Sequence, residues 1–283
     1  MHKEALEKTC YVGGAGAFGV FLRWLQTQVA FNDEGLPDPS VFNVLVPLSI
    51  LIAGAVFFNF VRRWRVGRYY LPPAFNRALR NDGLLYSALR WFLGGLMCLG
   101  AIALFARCEA DRNAGFYRVL AVLGLISGAG FPFVLREANE DEPRLKLVCA
   151  LQAAPMLLFA FWLVTCYKVN SINGVVWAYG VEVVACCFLL LAFFRAGGFA
   201  YSSADAWQSL FFCMFAAFLA IVCLADGRYM GMQLMLLAAA GMLMLYNWIQ
   251  IANLKRKKAE PVDVEAVETC GFEQLYTPKE KDD

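Results

Sequence analysis

Apolar residues in this chain come in long blocks, separated by short polar gaps. Eight blocks approach the length of a membrane crossing: Cys10 to Ala30, Val44 to Val61, Leu84 to Ala106, Phe116 to Leu135, Leu147 to Cys166, Val175 to Phe194, Trp207 to Ala225 and Met230 to Ile251. A hydrocarbon core of about 30 Å takes roughly 20 apolar residues at helical rise. Within lipid only helices satisfy their own backbone over such lengths, whereas barrel strands would be shorter and would alternate. The pattern predicts an all-α membrane protein, a polytopic bundle of about eight transmembrane helices. The first block is the least regular, because Arg23 breaks it. Its mixed-charge start and lack of an A-x-A site predict a retained helix and not a cleaved signal peptide.

Composition agrees with a bilayer as solvent. Hydrophobic residues make up 60% and charged residues 17%, against about 45–50% and about 25% in soluble domains. The net charge of +2 is too small to indicate a nucleic-acid partner. Where the charges lie matters more. With both termini in the cytoplasm, the inside holds Lys3, Lys8, the arginine-rich loop after the second block, Arg136, Arg144, Lys146, Arg195 and the KRKK at 255–258. The outside keeps Arg107, Arg112, Arg118, Lys168 and Arg228, beside the acidic connector FNDEGLPDPS. Cytoplasmic loops are enriched in Lys and Arg, so the asymmetry predicts cytoplasmic termini, in what reads as a bacterial plasma membrane.

The chain then divides into a transmembrane domain, 1–252, and a polar cytoplasmic tail, 253–283, too poor in apolar residues to build a core and therefore expected to be disordered. Within the first part, "AIALFA…VLAVLG" in blocks three and four resembles "AIVCLA…LLAAAG" in blocks seven and eight. Two four-helix halves, 1–139 and 140–252, would form a parallel repeat about an axis along the membrane normal.

Several motifs have structural explanations. Gly14, Gly16 and Gly19 match G-x-G-x-x-G, but no strand precedes them and no acid follows at the distance a dinucleotide site needs. Small residues there, and at Gly124 and Gly128, predict close helix packing. Pro132 and Pro155 predict kinks or breaks in the fourth and fifth blocks. "PPAFNRALRNDG" predicts a short interfacial helix. Arg62, Arg63, Arg65 and Arg68, interleaved with Trp64, Tyr69 and Tyr70, are placed to bind lipid headgroups.

Ten cysteines form no C-x-x-C, and most fall in apolar blocks, where they act as small hydrophobes. A bridge between Cys108 and Cys166 is the one disulfide that position permits. With His2 the only histidine, no metal site or cofactor is indicated. Nothing assembles a nucleophile with its base or a pair of carboxylates, so the sequence points away from an enzyme.

Two charges remain. Glu182 is the only acid well inside a block and Arg23 the only base so placed, since Arg90 can snorkel to the cytoplasmic edge. A charge at that depth costs several kcal/mol unless it is paired or hydrated. Arg23 lies seven residues before Ala30 and Glu182 seven after Val175, so both sit roughly 10 Å below the outer boundary. Matched depth and opposite sign predict an Arg23–Glu182 ion pair. Gln26, Gln28, Asn59, Gln152, Asn247 and Gln250 are candidates to line a polar cavity with it. Glu182, Arg23, Gln152 and Asn247 are thus the expected site of a transporter or permease for an unidentified small solute. The alternative is a non-catalytic scaffold packing against a partner membrane protein. A carrier requires a polar cavity at the two charges, and a scaffold a dry core there.

Overall fold

The computed structural model describes residues 2–30, 40–108, 113–170, 176–201 and 205–256. The acidic connector after the first helix, Arg112 and the tail from 257 on lie outside the described residues. The long helices are α1 (His2–Val29), α2 (Phe42–Val66), α4 (Leu84–Arg107), α5 (Ala114–Glu137), α6 (Leu145–Asn170), α7 (Val176–Gly197), α8 (Ala206–Val222) and α9 (Met230–Ala252). The short helix expected in the cytoplasmic loop is α3, Phe75–Ala78. Seven described helices, all the long ones but α1, are long and apolar enough to cross a membrane. The protein is an all-α polytopic membrane protein.

The helix contacts follow from side-chain size. From α4 to α9 each helix packs on the next, and α9 returns to α4, closing a six-helix ring. Helix α1 lies outside the ring against α8 and α9, and α2 lies against α1 and α8. Close approach depends on glycine, as the small-residue motifs predict. A Cβ at Gly19 would sit 2.6 Å from the Val222 side chain, and one at Gly16 would sit 2.9 Å from that of Ile221, so the α1 backbone lies directly on α8 side chains. Gly14, the first residue of the dinucleotide-like motif, faces open space. Gly128 and Gly94 bring α5 and α4 together in the same way, since a Cβ at Gly94 would meet the Gly128 carbonyl at 2.6 Å.

Helices α5 and α6 continue through Pro132 and Pro155 without a break. Pro132 fits over Gly94, so a neighbouring helix accommodates the ring that would otherwise disturb the ladder. The ring interior is aromatic. Phe159 stacks between Trp162 and Phe193 at 5.8 and 5.7 Å, and Phe131 meets Tyr246 edge-on at 5.4 Å.

The end of the bundle where α2 and α9 finish is tied together by polar contacts. Tyr69–Tyr70 (β1) pairs antiparallel with Lys255–Arg256 (β2), which fastens the end of α9 to the loop after α2. Asn253 donates to the carbonyls of Ala78 and Arg80. Asn81 donates to Leu135 across the loop and accepts from Asn139. Between α5 and α6, the Glu137 carboxylate grips Arg144 at 2.8 Å, and this hydrogen bond holds the guanidinium above its ordinary value. Among the described cysteines none is bridged. The Cys108 thiol donates to the carbonyl of Phe105 instead of pairing with Cys166.

Candidate functional site

The site is built where α8 turns into α9. Helix α8 ends in a 3-10 turn, Cys223–Ala225, and α9 begins at Met230. Only Asp226, Gly227, Arg228 and Tyr229 connect the two. These helices are the most enclosed spans of the bundle, with 67% and 72% of their apolar windows buried. So short a connector cannot rise clear of the bundle, and its side chains point into it. Gln233, on the first turn of α9, donates to the carbonyls of Asp226 and Leu224 and fixes the turn from below.

Two ion pairs form across this connector. Arg23 of α1 donates through Nε to Asp226 Oδ1 at 2.9 Å, with the two side chains 1% and 4% exposed. Its Nη1 also donates to Gln26 Oε1 at 2.7 Å, and Gln26 in turn donates to Asn43 Oδ1 on α2. Glu182 of α7 is ion-paired with Arg228, whose side chain keeps 22% of its exposure. The Trp162 indole of α6 donates to Glu182 Oε1 at 2.9 Å. Four helices and one connector thus converge on two cations and two anions.

Arg23 and Glu182 share a level, as their depths predict, but they do not pair with each other. Each meets the member of the connector with the opposite sign. The direct Arg23–Glu182 bridge is replaced because Asp226 and Arg228 lie two residues apart and reach both helices at once. Charge-neutral quartets of this kind lower the cost of burial, since every ion keeps an opposite partner in contact.

The other expected site residues lie elsewhere. Gln152 donates to the Tyr246 hydroxyl at 2.7 Å inside the ring. It sits ten residues before Trp162, about 15 Å along α6 toward its N-terminus. Asn247 is buried nineteen residues beyond Arg228, about 28 Å along α9, so the four residues do not form one site. Gln28 and Asn59 are exposed on the bundle surface and line nothing inside it. The inner half of the bundle has a different feature. Among the described residues, neither amide atom of Gln250 nor Asn247 Oδ1 has a hydrogen-bond partner, although both residues are at most 1% exposed. Gln250 lies one helical turn beyond Tyr246 on α9, and Asn247 is next to Tyr246.

Comparison with protein-family models, curated proteins and solved structures finds no match for this chain.

Function must therefore be read from the geometry. Two residues that the apolar pattern does not pick out complete the quartet, Asp226 and Arg228, and Trp162 adds a hydrogen bond to it. The first two look like surface residues because they fall in a gap between blocks. The shortness of that gap is the signal that would have placed them inside. Trp162 lies eight residues before the end of α6, at the level of Glu182, where an indole donor suits a buried carboxylate.

Proposed function

We propose that the chain is a carrier for a small solute, with the Arg23–Asp226 and Glu182–Arg228 pairs forming its outer gate. The observation that carries this reading is the quartet itself. Holding helices together is done more cheaply by apolar packing, and ion pairs buried for that purpose alone are often no better than hydrophobic isosteres. Paired charges held on a short connector are instead suited to exchange partners, with water, with a proton or with an ionic group of a solute. The amide of Gln250 and the Asn247 oxygen, unpartnered among the described residues, supply hydrogen-bonding groups on the opposite side of the aromatic layer. A solute moving inward would pass from the quartet, beside Trp162, to these groups.

Arg23, Glu182 and Asp226 are at most 4% exposed, so the structure corresponds in this reading to a state closed toward the outside. The cytoplasmic placement of both termini, in a bacterial plasma membrane, is part of the same proposal and rests on the Lys and Arg distribution. Arg62, Arg63, Arg65 and Arg68 are exposed and unpaired among the described residues. Lys255 and Arg256 stand beside them through the β1–β2 pair. We assign this basic end to anionic headgroups. The scaffold reading keeps two observations in its favour, the enclosure of Arg23, Glu182 and Asp226 in a closely packed site and the largely unburied apolar face of α2.

Proteoliposome uptake of radiolabelled amino acids, sugars and carboxylates separates the two. The carrier reading expects at least one solute to enter faster than into protein-free vesicles, with Glu182→Gln and Asp226→Asn changing that flux. Native Cys223, 1% exposed and next to the connector, offers a readout that needs no substrate. Opening of the gate must expose it to an impermeant maleimide added outside. No flux for any solute, together with a Cys223 that never reacts in the folded protein, would falsify the carrier reading.

A further inference from the structure

Among the described elements, helix α2 packs chiefly against α1, α8 and β1, and just 17% of its apolar window is buried. The seam between it and α1 is not closed by protein. A groove of about 300 Å³ runs along it, lined by Tyr11, Ala15 and Phe18 of α1 and by Ile52, Val56 and Phe60 of α2, with almost no polar surface. From Phe60 to Ser49, its far end on α2, the groove spans eleven residues, about 16 Å. That is half of a hydrocarbon core of about 30 Å, the depth of a single leaflet.

The mouth of the groove is cationic. The Lys8 ammonium lies 4.7 Å from the centre of the Phe60 ring and 5.1 Å from that of Tyr11, with its stem along the aromatic lip and its side chain 20% exposed. Its ion pair with Glu7, 3.4 Å away on an exposed side chain, is of the weak surface kind. The nearby Glu4 carboxylate already accepts from the Trp64 indole at 3.0 Å. One turn beyond Phe60 and on the same face is Arg63, exposed and without an ion pair among the described residues.

We propose that this groove holds a resident anionic phospholipid of the leaflet that α2 meets at Lys8. One acyl chain fills the apolar groove, and the phosphate sits between Lys8 and Arg63. The shape accounts for a chain and the rim for a negative headgroup. The lipid completes the packing of the least buried helix, independently of what the quartet does.

The test uses the full chain, purified in mild detergent and examined by native mass spectrometry. Delipidated protein is then titrated with phosphatidylglycerol or phosphatidylcholine. One phosphatidylglycerol is expected to persist on the purified protein and to bind in preference to phosphatidylcholine. Lys8→Gln is expected to weaken phosphatidylglycerol about fivefold, the factor set by one basic residue near an anionic surface, without altering phosphatidylcholine. Ala15→Phe fills the groove and is expected to displace both. Equal binding of the two lipids by the wild-type protein overturns the proposal without reference to any variant. So does an adduct that survives groove filling, or a dimer that disappears on groove filling while no lipid is found.

Discussion

Arg23→Gln is the perturbation that best distinguishes the observed charge arrangement from a direct bridge between α1 and α7. The Arg23–Asp226 contact is 2.9 Å long and both side chains are at most 4% exposed. With charge centres about 4 Å apart and an effective dielectric near 20, their attraction is about 4 kcal/mol. Removing one member leaves the other charged and enclosed, which costs about 3–5 kcal/mol. Arg23→Gln and Asp226→Asn are each expected to destabilise by that amount. The double variant replaces an ion pair by two amides and is expected to cost no more than either single change, so the coupling is at least about 3 kcal/mol by the same reasoning. Arg23 and Glu182 lack a contact, and their cycle is expected to give less than about 1 kcal/mol. The assay is reversible unfolding in mixed micelles with sodium dodecyl sulfate, followed by near-ultraviolet circular dichroism. A larger coupling for Arg23 with Glu182 than with Asp226 would refute the arrangement. Full additivity in both cycles would refute the claim that these ions are desolvated.

Two further substitutions test the packing around the site. Gly19→Ala places a methyl group 2.6 Å from Val222, whereas Gly14→Ala meets nothing within 4 Å. The first is expected to destabilise by about 1–3 kcal/mol through overpacking, and the second to be neutral or to stabilise by up to about 1 kcal/mol. Similar unfolding free energies for the two would show that α1 does not rest on α8 through this face. Tyr246→Phe deprives the Gln152 amide of its 2.7 Å acceptor and is expected to cost about 1–3 kcal/mol. Pairing it with Gln152→Leu should recover part of that loss in the same assay, and strict additivity would mean that the bond is absent.

The architecture was legible because lipid leaves few alternatives. A span of apolar residues must be a helix, and seven of the eight blocks became helices that meet the demand by length and composition alone. The eighth, α1, needed a different argument. Its charges and glycines dilute its apolar character, yet those glycines are what seat it against α8. Small-residue spacing was therefore better evidence for α1 than hydrophobicity. The charges were half legible. Arg23 and Glu182 stand out because the blocks around them are apolar, and both are buried and ion-paired to the same connector. Their partners were hidden by the rule that found them, since Asp226 and Arg228 occupy a gap, and gaps are read as solvent. Gap length carried the missing information, because four residues between the two most enclosed helices keep Asp226 and Arg228 within reach of both α1 and α7. Gln28 and Asn59 failed for the opposite reason. An amide on a helix facing lipid and an amide on a helix facing the core look alike until the neighbours are known.

The connector also explains why the two ion pairs form one device in the carrier reading. Asp226 and Arg228 belong to the same turn, so they cannot move independently. Arg23 arrives on a helix outside the ring, and Glu182 arrives on one that belongs to it. Any shift of the turn that lengthens one contact changes the other, and the cost of opening falls on both pairs together. Protonating Glu182 would remove the attraction on one side and leave Arg228 facing Asp226 from within the same turn. Arg228, the most exposed of the four, is the member with water nearby to receive it. In this reading an anionic group that competes with Glu182 for Arg228 releases α7, and because Asp226 shares the turn, the contact to α1 loosens with it.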